Sequence, residues 1–128
     1  IRSGSALKKF GEMVKNQSGQ LDHRHNINNP SFSHNIKSKC DGYLKSYDTT
    51  AIGWALVELG CGRKKSKDKL DNSAGVEFFF KIGEKVKKGD PVFKCFGSNE
   101  SRLKKAVDLI EKTFHLSDKK VKRPKLII

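Results

Sequence analysis

Acidic side chains are scarce in this chain: 14 Asp and Glu stand against 27 Lys and Arg, giving a formal net charge of +13 over 128 residues. Such an excess first raises nucleic-acid binding, because clustered Lys and Arg replace the counterions on phosphates. The clustering is missing. Residues 1–39, 40–97 and 98–128 carry net charges of +5, +3 and +5, and only five of the basic residues are Arg. Phosphate and base readers favour the bidentate fork of Arg, and no basic run interleaved with aromatics, such as an RNP sequence, occurs. The excess reads as a general lysine bias. Nucleic acid is not an expected partner, and a basic module for RNA or an acidic protein is kept as the alternative function.

Other absences exclude further classes. The cysteines are three, Cys40, Cys61 and Cys95, without CxxC spacing, so neither a disulfide framework nor a zinc knuckle is supported and reduced thiols are expected. His23, His25 and His34 lie in a polar stretch without acidic or Cys partners at ligand spacing; they read as loop residues, and no metal site is expected. The longest apolar run, Val76–Phe80, is broken by Glu77 and far too short to cross a bilayer. No signal-peptide pattern opens the chain, and residue 1 is Ile. The expected setting is a reduced, cytoplasmic one, and the chain reads as a piece of something larger.

Periodic segments do occur. Residues 3–16 place Ala6, Phe10, Met13 and Val14 at helical spacing, with Ser3 or Ser5 as candidate N-cap. Residues 17–39 are polar, with Asn28-Asn29-Pro30 as a turn signal, and read as a connection. Tyr43–Tyr47 predicts a short strand. Asp48, Thr49 or Thr50 can cap a helix that puts Ile52, Ala55, Leu56 and Leu59 on one face, with Gly60 ending it in the left-handed conformation. Two strands are expected at 76–82 and 91–96, separated by turns at Gly83 and at "KKGD". A final helix from Ser98 or Asn99 lines up Leu103, Val107, Ile110 and Phe114 and pairs Lys104 with Asp108; "KVKRPKLII" closes the chain as an extended tail. The fold class is α+β.

The stretch "VELGCGRKKSKDKLDNSAG", residues 57–75, poses the chemical question. A Walker loop needs GxxxxGK[ST] between a strand and a helix, so that amides point at phosphate oxygens. Here Gly60 and Gly62 follow a helix, and no Gly-Lys-Ser/Thr unit occurs. The glycines read as helix stop and turn, with Arg63 pairing Asp71 to anchor the loop and the lysines solvated. The "KIGEKVKKGDPV" segment has the texture of a biotinyl or lipoyl carrier, but lacks Met-Lys-Met or Asp-Lys-Ala. There is no GxSxG, and no His beside a thiol in sequence.

Taken together, "DGYLKSYDTTAIGWALVELGCGRKKSKDKLDNSAGVEFFFKIGEKVKKGDPV" resembles the C-terminal domain of thymidine and pyrimidine-nucleoside phosphorylases. The shared pieces are the DGYL strand, the AIG helix, the LGCGR loop, the D-N-S-A-G segment and the Lys81–Gly89 turn region; the departures are Cys61 for Ala, Leu44 for Val and Glu84 for Asp. The resemblance implies an α/β-hammerhead, barrel-sandwich-like domain over 40–128, preceded by a linker at 20–39. It further implies a helix at 1–19 that belongs to the parent's central α/β domain. It implies a parent that converts pyrimidine nucleoside and phosphate to base and (deoxy)ribose 1-phosphate, as a homodimer. The family's phosphate and base contacts lie N-terminal to this region, so no catalytic, phosphate-binding or metal residue carries over, no cofactor is implied for this piece, and the piece is expected to be inactive alone. The residues matching the motifs, Asp41, Gly42, Gly53, Gly60, Gly62, Arg63, Asp71, Gly75, Gly83 and Gly89, are implied to be structural.

Overall fold

Phe93 marks where the elements meet. It is fully buried, and its ring lies 5.4 Å from Tyr47, 5.0 Å from Phe78 and 5.8 Å from Phe114. Three further chain segments thus converge on one side chain. In the computed structural model, which describes residues 2–20 and 29–125, the order is α1 (Ser5–Asn16), β1 (Phe32–Lys37), β2 (Gly42–Tyr47), α2 (Thr49–Leu59), β3 (Gly75–Phe78), β4 (Lys85–Val86), β5 (Pro91–Gly97), α3 (Glu100–Ile110) and β6 (Phe114–Ser117).

The strands form two antiparallel three-stranded sheets, ordered β1-β5-β3 and β4-β2-β6. Strand β5 is central in the first, and its Val92, Phe93 and Cys95 are all buried. In the second, Leu44 of β2 and Val86 of β4 are buried. Helices α2 and α3 pack on each other and close the core through Ile52, Ala55, Leu59, Leu103, Ala106, Val107 and Ile110. Side-chain caps start both helices: Asp48 Oδ1 accepts from Ala51 N at 2.9 Å, and Asn99 Oδ1 accepts from Arg102 N at 3.0 Å.

Several expectations need correction. Residues 20–39 are not all linker, because β1 occupies 32–37, pairs along β5 and buries Ile36; His34 is therefore an exposed strand residue. His23, His25, Asn28 and Leu126–Ile128 lie outside the described residues. Helix α1 is preceded by Gly4 without a side-chain cap, so neither Ser3 nor Ser5 plays that part. The strand expected at 76–82 stops at Phe78, and the chain then crosses to the other sheet to form β4 before returning as β5. That excursion is held where Gly83 N donates to Leu44 O at 2.8 Å and Leu44 N donates to Glu84 O at 2.9 Å. Phe114 leaves α3 and opens β6, and Lys104 pairs backward with Glu100 at 2.8 Å rather than forward with Asp108.

Removing the Phe93 ring leaves a cavity touching both sheets. Phe93→Ala is expected to lower unfolding free energy by about 3–5 kcal/mol. Phe78→Ala, at a ring 47% exposed, should cost less than half as much. Urea titration of both variants checks the ranking.

Candidate functional site

The 57–75 stretch begins where α2 ends. Gly60 sits at φ 111°, its N–H donates to the carbonyls of Leu56 and Val57 at 3.2 Å, and Cys61 N donates to Leu56 O at 2.9 Å. This is the Schellman arrangement, which places glycine in the left-handed region. The chain then loops out. Asp68 Oδ2 accepts from the amides of Lys64 and Lys65 at 3.0 and 2.9 Å, and Lys64 Nζ pairs with Glu58. Arg63 is exposed and does not reach Asp71; the expected Arg63–Asp71 anchor is absent because both Asp71 oxygens have other donors.

Those donors are two serines. Asp71 Oδ1 accepts from Ser73 N at 3.0 Å and Ser73 Oγ at 2.6 Å. Oδ2 accepts from Ser98 N and Ser98 Oγ, both at 2.7 Å. The Asp71 N–H donates to Gly60 O at 2.9 Å, and its carbonyl accepts from Ala74 N at 3.1 Å. One residue therefore joins the end of α2, the start of β3 and the β5–α3 junction. Burial on its own would push the carboxyl up; the side-chain and backbone bonds from Ser73 and Ser98 outweigh it and hold the group well below the usual carboxylate range. Close packing surrounds this node. A Cβ on Gly60 would lie 3.2 Å from Asp71 Cβ and 3.0 Å from an Arg102 guanidinium nitrogen, and one on Gly75 would strike the Phe96 ring at 2.8 Å.

Beside the node is an open cleft of about 660 Å³ lined by Lys69, Asp71, Asn72, Ser73, Ser98 and Arg102. Its composition invites an anion, but the amides of Ser73 and Ser98 already serve the Asp71 carboxylate, which places a negative charge on the wall. The other motif residues are dispersed: Asp41 Oδ1 accepts from Lys88 N at 2.7 Å, Gly42 opens β2 opposite Val86, Gly53 lies mid-α2, Gly62 packs on Val57, and Gly83 and Gly89 turn at φ 87° and 91°. Ser73 is foreshadowed by the Asp-x-Ser spacing of an Asx turn. Ser98, 27 residues away from Asp71, carries no local signal.

Among the described residues, the titratable groups elsewhere do not assemble into a reactive set. Burial pushes the Cys95 thiol up to about 12, and burial together with the Asp71 charge raises Cys61; neither is a ready thiolate. The Tyr47 hydroxyl donates to Phe80 O at 2.7 Å and is pushed up to about 12 by burial and by Glu84. Among the described residues no three His, Cys, Asp or Glu side chains converge at metal distance.

Asp71→Asn removes the charge and turns an NH2 toward serine donors, so a loss of about 2–3 kcal/mol is expected near neutrality. Because the folded-state pKa is depressed, the wild-type advantage is present above the ordinary carboxylate value and lost as pH falls through it toward the folded value. Paired urea titrations should show the gap between the two proteins narrowing from about pH 5 to pH 2; a gap independent of pH contradicts the assignment.

The family model described as pyrimidine nucleoside phosphorylase C-terminal domain matches residues 43–117, the span from β2 through β6 that contains the Asp71 node. Pyrimidine-nucleoside phosphorylases of Staphylococcus aureus strains USA300, NCTC 8325 / PS 47 and COL are each 32% identical over 121 residues, covering 92% of this chain. The chain spans 28% of the length of those relatives. With mixed helix and sheet in the matched span, the chain belongs to the pyrimidine nucleoside phosphorylase C-terminal domain family.

Proposed function

We propose that this chain is the C-terminal part of a pyrimidine-nucleoside phosphorylase, a pentosyltransferase of nucleoside salvage that exchanges the base of a pyrimidine nucleoside for phosphate. The observation that carries the reading is the family match over β2–β6. The relatives' names supply the reaction. In such a reaction, charge spreads over an oxocarbenium-like sugar and a leaving pyrimidine, so catalysis depends on aimed dipoles and charges. Among the described residues, three carboxylates are engaged within the domain: Asp71 by Ser73 and Ser98, Glu84 by Lys81 N at 2.8 Å and Arg123 at 3.0 Å, and Asp90 by Lys87 N at 2.9 Å. In this reading the phosphate and nucleoside contacts belong to the preceding polypeptide, and no catalytic, phosphate-binding or metal residue and no cofactor is assigned to this part.

In this reading the two sheets joined through Phe93 form the α/β-hammerhead, barrel-sandwich-like body. Residues 1–19 supply a helix of the parent's central α/β domain, consistent with α1 burying none of its residues. The body moves with that domain as the substrate cleft closes. The parent is a cytoplasmic homodimer; in the described residues no helix is long and apolar enough to cross a membrane.

Phosphorolysis of uridine and thymidine, followed by release of free base in phosphate buffer, tests the division of labour. The full-length parent should turn over and this 128-residue chain should not. Turnover by the chain alone places catalysis here and overturns the proposal.

A further inference from the structure

Helix α2 has the wrong outer face for water. Its sequence, TTAIGWALVEL, holds one charged residue, Glu58, in a chain where 32% of residues are charged; α3, of the same 11-residue length, holds five. A helix covered on one side carries polar residues on the other, and a helix apolar all round is covered all round. The inner side of α2 is accounted for by buried Ile52, Ala55 and Leu59. On the other side Thr50, Gly53 and Trp54 share the helical i, i+3, i+4 spacing and are exposed, Trp54 to 68%.

Gly53 sharpens the point. Glycine is, after proline, the least favourable residue in a helix interior. At Gly53 the backbone is ordinary helix, and an added Cβ would meet nothing within 4 Å. Neither positive φ nor crowding within the described structure requires it, so the remaining reason is a close approach from outside.

We propose that Thr50, Gly53 and Trp54 form an interface within the parent polypeptide, where the chain preceding this domain lays an apolar segment across α2, backbone against Gly53 and a pocket around the Trp54 indole. The inference rests on the assignment of this chain to a longer phosphorylase. Three observations choose that occupant. The chain spans 28% of its relatives' length, so most of their polypeptide lies outside it. Helix α1 presents a second uncovered apolar face, with Leu7, Phe10 and Met13 exposed to 71%, 48% and 50%. A strip three residues long is also far short of the roughly 800 Å² per partner that a standard free-standing interface buries, whereas a tethered segment needs much less because its effective concentration is high.

Trp54 is the chain's only Trp, which gives a direct readout. Hydroxyl-radical footprinting with mass spectrometry should find Trp54 modified about fivefold more slowly in the full-length parent than in the 128-residue chain, at every protein concentration. Gly53→Ala should raise the melting temperature of the 128-residue chain by about 2–5 °C and make Trp54 of the full-length protein more reactive. Equal Trp54 reactivity in the two proteins overturns the proposal, as does protection that appears only with rising concentration, the signature of a second copy. Gly53→Ala that stabilises both proteins and leaves Trp54 protected also overturns it. Uridine phosphorolysis by the wild-type parent reads the enzymatic assignment separately, so failure of either is distinguishable.

Discussion

A single carboxylate with four donors holds the matched domain in register. Asp71 takes two bonds from Ser73 and two from Ser98, so the loop entering β3 and the turn entering α3 cannot move independently. Because β3 and β5 are neighbours in one sheet, and α3 packs on α2, this node fixes the helix pair against the sheet. The surrounding glycines follow from that closeness: the backbone at Gly60 lies against Asp71, and Gly75 lies under the Phe96 ring. Charge-assisted bonds to backbone amides are the kind that discriminate sharply between one loop geometry and another.

The second constraint is aromatic and works at the opposite scale. Phe93 belongs to the sheet ordered β1-β5-β3, whereas Tyr47 and Phe114 belong to the sheet ordered β4-β2-β6. Their edge-on and tilted contacts are worth more than area alone. The chain also crosses between the sheets covalently, leaving β3, entering β4 and returning as β5. The two sheets are thus joined both by aromatic packing and by the chain itself.

How far these features were readable depends on where the information resides. Helix α2 announced itself, since Asp48, the apolar face and Gly60 are local signals that agree. Strand β1 did not, because at the sheet edge only Ile36 of its six residues is buried and no alternation marks it. Strand β4, two residues long, is defined by its partner Gly42–Tyr43 rather than by its own pattern. Phe114 fits the helical spacing of α3, yet Thr113 breaks away: its hydroxyl donates to Ile110 O at 2.8 Å and its carbonyl accepts from Asp48 N at 2.7 Å, a tertiary contact no window contains. At the node, the sequence marks Asp71, but the match of an Arg fork to a carboxylate points to Arg63 as its partner. The two serines won because they bring side-chain and amide donors together at short range, and Ser98 arrives only through the pairing of β3 with β5.

The lysine-rich, glycine-rich loop therefore owes its composition to a helix stop, a solvated excursion and a carboxylate staple. That residues 60–75 hold the fold and not a phosphate is our proposal, and titrating inorganic phosphate into the 15N-labelled chain while following backbone amide resonances tests it. Only small, non-saturating shifts are expected across Gly60–Gly75, with the Ser73 and Ser98 amides unmoved because Asp71 occupies them. Saturable shifts centred on Gly60, Gly62, Ser73 and Ser98 would show a phosphate cradle there and contradict it.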